Sequence, residues 1–377
     1  MFLTKEEEKI LERGDGFSKC MEILVALGEI FGAERLIPIK SAHISGISYQ
    51  NIGDEGLEWL KGLKVKFAVK TTVNPAGMDL EKWREMGIDE NFFTKQMEIL
   101  KIFEKMGAEL TLTCTPYYVN RPKFGDHLAW SESSAVAYVN SVLGARTNRE
   151  SGISALASAV IGKTPYYGLH VKENRVPNVL VNVKCECDPA IVGYKVGYEV
   201  DGIPIFKFKR KLSDDELKAL GASLASTGNV AMFHVIEQTP EWRDFELPSE
   251  KVVIEEVDLK FDCEPDLIAL GCPHLSKEEL LQIYEFVKRF EGKVKREFWI
   301  FTSRKIYNEM EDVVNYLKRK GIRVFRDTCM VVSPATEKFE CVMVNSGKAL
   351  TYLPKLRRVN VCYGNLKECI KSAFCSE

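Results

Sequence analysis

Three cysteines, Cys114, Cys272 and Cys329, each follow a short apolar run that reads as a β-strand, at 109–113, 266–270 and 323–325. In parallel α/β sheets, ligands gather outside the carboxyl ends of the strands. The same rule selects Ser303, Arg304, Asn345, Ser346 and Lys348 in the C-terminal part, and Lys40, Ser41, His43, Thr72 and Asn74 in the N-terminal part. Three thiolates meeting at one point would hold a metal centre. Zinc with an open fourth position fits, and so does an iron–sulfur cluster with one iron free for substrate. A metal with an open position polarises a hydroxyl or a carboxylate. The competing reading is that free cysteine is commonly a small buried core residue, and no CxxC spacing argues otherwise.

Charged clusters offer the anion-binding half of such chemistry. Residues 120–127 carry Arg121, Lys123, Asp126 and His127, and residues 144–150 carry Arg146, Asn148, Arg149 and Glu150. Arginine suits bidentate recognition of carboxylate or phosphate. Both clusters flank a small-residue helix over 131–142. Ser131-Glu132-Ser133-Ser134 opens that helix, and a helix N-terminus favours an anion. Asn345-Ser346-Gly347-Lys348 follows a strand directly and reads as a second cradle. The Gly- and Ser-rich stretch 221–228 has neither nucleotide-loop pattern. Alternation along 181–187 puts Cys185 and Cys187 on one strand face with Val181 and Val183, as core. Cys20, Cys263, Cys341, Cys362, Cys369 and Cys375 are expected at core or surface positions, and His234, in the run AMFHVI, in the core.

These residues need a scaffold. Residues 35–40 read as a strand followed by the polar turn Ser41-Ala42-His43, and 65–70 as a strand ending in Thr71-Thr72-Val73-Asn74. Helical periodicity covers 4–31, broken near Gly14-Asp15-Gly16, and 91–106. The middle, 176–259, is less regular, with a strand at 179–184 and a helix at 213–223 that opens on a Ser cap. The C-terminal part alternates clearly: helices over 277–290 and 305–320, strands over 297–301, 323–325 and 341–344. A charged, linker-like run at 247–260 predicts a boundary near 260. It separates an N-terminal α/β region, 1–260, with room for two subdomains, from a C-terminal βαβ domain, 261–377. The fold class is α/β with parallel sheets and the ligand site at the strand carboxyl ends.

Composition narrows the function. The chain has 377 residues, 45% hydrophobic and 28% charged, which is ordinary for a globular protein. Its 52 basic and 54 acidic residues leave a net charge of −2 and no basic footprint for nucleic acid. The N-terminus lacks a signal-peptide pattern, and the most apolar stretch, 21–39, is interrupted by Glu22, Glu29, Glu34 and Arg35. A cytoplasmic protein without a membrane segment is expected, and its 11 cysteines are too few for a disulfide scaffold.

Seven segments change the resolution of the reading. KSAHISG at 40–46, TCTPYY at 113–118, GDHLAWSESSAVAYVNSVLGARTNRE at 125–150, ASTGNVAMFH at 225–234, GCPH at 271–274, DTC at 327–329 and NSGK at 345–348 run in order over nearly the whole chain. Together they resemble the large subunit of the aconitase X family. The resemblance implies an aconitase-like fold and a hydro-lyase dependent on an iron–sulfur cluster, 4Fe–4S or a 3Fe–4S or 2Fe–2S form. It implies Cys114, Cys272 and Cys329 as the ligands, the same three that the strand-end argument selects. Ser41, His43 and Glu132 become the catalytic candidates. Lys40, Thr72, Asn74, Arg121, Arg146, Asn148, Arg149, Ser346 and Lys348 become the substrate-binding ones. The family's split archaeal type implies dehydration of mevalonate 5-phosphate to trans-anhydromevalonate 5-phosphate, in isoprenoid synthesis. The chain ends soon after NSGK, so a separate small subunit is expected to supply a swivelling domain and a serine base. Where the family usually has Gly-Gly-Pro-Ser after Asn148-Arg149-Glu150, this chain has Ser151-Gly152-Ile153-Ser154. Two other functions compete: the same chemistry on cis-3-hydroxyproline or another 3-hydroxy acid, and a non-catalytic protein that binds zinc or senses redox state.

Overall fold

Local capping sets where most helices start. In the computed structural model, which describes residues 1–259, 261 and 263–375, Thr4, Ser151, Ser213, Ser276 and Asn365 each close a capping box. Their side chains accept from a backbone N–H of the first turn, while the residue three positions on reaches back. The expected break at Gly14-Asp15-Gly16 separates Lys5–Leu11 from Gly16–Ile30, and Asp15 caps the second helix. The helix at 305–320 is interrupted at Met310, giving Arg304–Glu309 and Glu311–Arg319.

Four sheets organise the described residues. A five-stranded parallel sheet has the order Arg323–Phe325, Glu297–Thr302, Leu267–Leu275, Cys341–Val344, Asn360–Tyr363. Its central strand, Leu267–Leu275, is buried at every position, as a strand covered on both faces must be. A three-stranded parallel sheet places Ser41–Ile44 between Lys70–Val73 and Leu128–Trp130. A four-stranded parallel sheet runs His234–Val235, Pro204–Lys207, Val179–Val183, Lys251–Ile254. Leu36–Pro38 and Lys163–Pro165 form a short antiparallel pair. The α/β class with parallel sheets is therefore observed.

Packing between the first and last parts builds the site. Met78, Trp83, Met86 and Phe92 share one apolar cluster with Trp299, Phe325, Cys272 and Cys329. Burial of large aromatic side chains, at roughly 25 cal/mol per Å² of apolar surface, holds the two parts in one register.

Several expectations are corrected here. Ser41-Ala42-His43 is not a turn but the start of a fully buried central strand. Its polar side chains are satisfied inside the sheet, which is why its composition misleads. The strand expected at 65–70 lies at Lys70–Val73 instead. Residues 109–113 form no strand; the segment meets the sheet through one bridge, Thr72 to Glu109, and hydrogen bonds from Thr111 and Thr113 to the Val73 carbonyl. The linker-like run at 247–260 contains the edge strand Lys251–Ile254, and its last residue, Lys260, lies outside the described residues. The strand carrying Val181 and Val183 ends at Val183, so Cys185 and Cys187 fall beyond it, half-buried and joined to each other by a disulfide. Strand alternation does not extend past the last ladder residue.

Candidate active site

A cavity of about 260 Å³ opens where the first and last parts meet, and Cys114, Cys272 and Cys329 all line it. Each comes from a different element. Cys114 ends the extended segment after Glu109. Cys272 lies near the carboxyl end of the central strand, after Gly271, whose φ of +105° only glycine adopts readily. Cys329 follows the strand Arg323–Phe325.

His274 ties the three together. Its backbone N–H donates to Cys114 Sγ at 3.2 Å. Its Nε2 donates to the Thr328 carbonyl at 2.8 Å, so its Nδ1 accepts from the Thr113 hydroxyl at 2.9 Å. Thr113 precedes Cys114, Thr328 precedes Cys329, and His274 itself lies two residues after Cys272. Burial pushes the imidazole down to about 4, against the Thr328 hydrogen bond and Glu132. It is therefore neutral near pH 7 and holds one tautomer.

Facing the thiols is a buried ion pair, Glu132 with Lys348. Burial disfavours the Glu132 charge, yet Lys348, together with hydrogen bonds from Lys348, Asn74 and Ser134, holds its carboxyl down to about 2. Burial disfavours the Lys348 ammonium, and Glu132, Cys272 and Cys114 hold its pKa above the usual lysine range. Asn74 Nδ2 donates to Glu132 Oε2 at 2.8 Å, and Asn74 Oδ1 lies 3.2 Å from His43 Nε2. Arg149 also lines the cavity. Its guanidinium donates to the Ala225 carbonyl and Asn229, and toward the Tyr352 hydroxyl.

Burial pushes the Cys272 thiol up to about 12, with Lys348 opposing, and pushes Cys114 well above its usual value. Burial also raises Cys329, opposed by the Val332 backbone N–H, Lys348 and the Val331 backbone N–H. Thiols in this setting stay protonated until a metal displaces their protons. The sulfurs come with backbone N–H donors and a neighbouring cation, which favour bound thiolates. The three sulfurs are not all within 4.8 Å of one another. That spacing is wide for a single ion, and a cluster has iron and sulfide between its ligands. The donor set fits an iron–sulfur group.

Other expected site residues lie elsewhere. Lys40 is exposed, and Ser41 accepts from Trp130 Nε1 at 3.2 Å, outside the cavity. The strand runs to Ile44, so its carboxyl end presents Ser45 and Gly46 to the cavity. Thr72 and His43 form a buried pair at 2.8 Å behind Asn74. Burial pushes His43 down to about 4, with Asn74 and Glu132 pulling upward. Arg121 is exposed. Arg146 donates to the His170 carbonyl, and Asn148 to the Tyr167 carbonyl, so both brace a loop. Ser346 caps the helix Gly347–Arg357 and hydrogen-bonds Cys272 without lining the cavity. Arg304 is engaged by Asp327 and Glu81. Ser45, Gly46, Asn51 and Tyr352 line the cavity unexpectedly, beside Ser131 and Ser133 of the helix-opening run. Correct strand ends would have found the first two. His274 was legible only as part of GCPH.

A buried thiol triad faced by an ion pair and an arginine, on an α/β scaffold, has the donor set of a sulfur-ligated metal site. Comparison with known proteins narrows the class. Residues 1–173, 177–264 and 265–375 match the Aconitase X first, second and third domains respectively. The chain belongs to the aconitase X family. It is 49% identical to the phosphomevalonate dehydratase large subunit of Methanosarcina mazei, over 99% of this chain and 97% of that one. The crystal structure of Thermococcus kodakaraensis aconitase X in its holo-form superposes with a TM-score of 0.92 at 43% identity, covering 99% of this chain and 100% of that one. The cis-3-hydroxy-L-proline dehydratase of Pseudomonas aeruginosa is 32% identical over 96% of this chain but 68% of its own length.

Proposed function

We propose that the chain is the large subunit of a hydro-lyase that dehydrates (R)-5-phosphomevalonate to trans-anhydromevalonate 5-phosphate. The observation that carries the reading is the thiol triad faced by the Glu132–Lys348 pair in one cavity. Five relatives named as phosphomevalonate dehydratase large subunits, 40–49% identical over nearly their full lengths, support it. Cys114, Cys272 and Cys329 would hold the cluster, which would supply Lewis-acid activation of the substrate hydroxyl. Lys348 keeps a proton at Nζ beside the triad, and Glu132 anchors that ammonium. The Lys348 ammonium, not the Glu132 carboxylate, is the group that stabilises negative charge on the departing hydroxide. Asn74 fixes Glu132, and His43, held by Thr72, fixes Asn74 from behind. Arg149 meets one anionic end of the substrate. The proton from the neighbouring carbon goes to a base on a separate small subunit, a serine on the family resemblance. Among the described residues no helix is long and apolar enough to cross a membrane.

The test is anaerobic purification with the small subunit, followed by iron, sulfide and EPR analysis. Assays on mevalonate 5-phosphate and on cis-3-hydroxy-L-proline come next. Cluster iron with selective turnover of the phosphate ester is expected, and Cys272→Ala should lose both. Selective turnover of hydroxyproline would move the assignment to the more distant relatives' reaction. Zinc alone would remove the dehydratase reading.

A further inference from the structure

A second cysteine trio lies at the other end of the five-stranded sheet. Cys341 begins its strand, and Cys362 pairs with Met343 on the neighbouring one. Cys263 sits on the segment entering the sheet. Cys272, by contrast, lies toward the carboxyl end of the central strand, whose Leu267 is level with Val342. Among the described residues, Cys263, Cys341 and Cys362 are the one group of three potential ligands whose donor atoms all lie within 4.8 Å of one another. Cys263 and Cys341 form a disulfide, and the Cys362 sulfur lies 4.0 Å from that of Cys341.

We propose that Cys263, Cys341 and Cys362 form a thiolate site for a single zinc-like ion in the reduced protein, and that the Cys263–Cys341 disulfide is its oxidised, metal-free form. A disulfide needs two cysteines; a third sulfur beside the bond adds nothing to a staple but completes a metal site. With bonds of about 2.3 Å, a tetrahedral thiolate site sets its sulfurs about 3.8 Å apart, which a group this compact accommodates. A multi-iron cluster needs wider spacing, so the two trios are built for different occupants. Cys263 and Cys362 also line a surface hollow, from which water can fill the fourth position. Arg296 and Lys371 on the same walls offset the negative charge of three thiolates around a divalent ion. Switching is balanced by a dithiol reductant. It gives two electrons and two protons to the disulfide and becomes a disulfide itself; metal binding then releases the thiol protons.

The site is tested on the complex with its small subunit, reduced with a dithiol and freed of loose metal by a chelator. Zinc, iron and sulfide are then measured, and cadmium is titrated with thiolate charge-transfer absorbance as readout. The wild type should take about one equivalent of zinc or cadmium apart from its iron, and Cys362→Ser and Cys263→Ser should each lose it with iron unchanged. Cys263 is only half-buried, so its variant reads the site even if Cys362→Ser folds poorly. Four outcomes would overturn the proposal: three free thiols that take no cadmium, a Cys263–Cys341 bond that survives the reductant, cadmium retained by the Cys263→Ser variant, or iron lost with the zinc. The last would place the cluster here rather than at Cys114, Cys272 and Cys329, separating this failure from failure of the dehydratase reading.

Discussion

Replacing His274 by alanine should cost the protein its metal before it costs the fold. The imidazole makes two side-chain hydrogen bonds, 2.9 Å to Thr113 and 2.8 Å to the Thr328 carbonyl, and is fully buried. Thr113 keeps a partner, because its hydroxyl also meets Thr115 at 3.0 Å. The Thr328 carbonyl loses the imidazole N–H in a place water does not fill easily. Two hydrogen bonds are worth about 1 kcal/mol each, and an unpaired buried carbonyl adds about 1–3 kcal/mol, so a loss of roughly 3–5 kcal/mol is expected. His170→Ala is the control: that ring is equally buried but bonds His127 at 3.0 Å, away from the thiols. Urea unfolding and iron content are read side by side. Both variants should lose stability, but only His274→Ala should lose iron, or lose it much faster to a chelator. Equal iron retention in both variants would refute the idea that His274 positions the three cysteines.

The Glu132–Lys348 pair should show strong coupling. Lys348→Met leaves a buried carboxylate with only Asn74 and Ser134 and should cost about 3–5 kcal/mol, with the Glu132→Gln/Lys348→Met double variant recovering part of the loss; additive losses in denaturant melts would contradict this. Acid should destabilise the fold well above the carboxylate range. Burial holds His43 at about 4 and His170 at about 3 in the folded state, while the unfolded chain protonates them below about 6.5. Stability should therefore be full above about 6.5 and fall as pH drops toward 4, by roughly 3 kcal/mol per histidine, visible as a lower urea midpoint at pH 5 than at pH 7.5. Gly271→Ala places a Cβ 2.1 Å from the Phe301 carbonyl oxygen at a φ of +105°. It should cost at least ~2 kcal/mol and reduce iron content, since Cys272 is the next residue; unchanged melting and iron would count against the close approach.

Local information served well where pattern and period agree. In the C-terminal part the sequence placed the elements from 266 to 344 to within a few residues, because continuous apolar runs and Ser caps are written locally, but it did not mark Gly347–Arg357, Asn360–Tyr363 or Leu366–Phe374. It also singled out Cys114, Cys272 and Cys329 together, because each follows an extended apolar run, although 109–113 is no strand and Cys272 lies within its own. The N-terminal sheet was less legible. Ser41 and His43 look like a turn because their partners, Trp130, Thr72 and Asn74, are distant in sequence, and only packing shows that a polar strand can be buried without cost. That one shift moved Ser41 out of the cavity and brought Ser45 and Gly46 in. Lys40, Arg121, Arg146 and Asn148 lie outside the cavity lining for a related reason: a charge cluster has no direction until its backbone is placed.

What the tertiary structure alone decided is which groups face one another. Glu132 and Lys348 are 216 positions apart, and no periodicity links them; their pairing follows from the apolar cluster that joins the first and last parts of the chain. The same holds for Cys263, Cys341 and Cys362, spread through the C-terminal third and read singly as core or surface. Sequence names the donors, because chemistry depends on residue type. Convergence depends on long-range packing, which is a sum over many weak contacts and is not written at any one position.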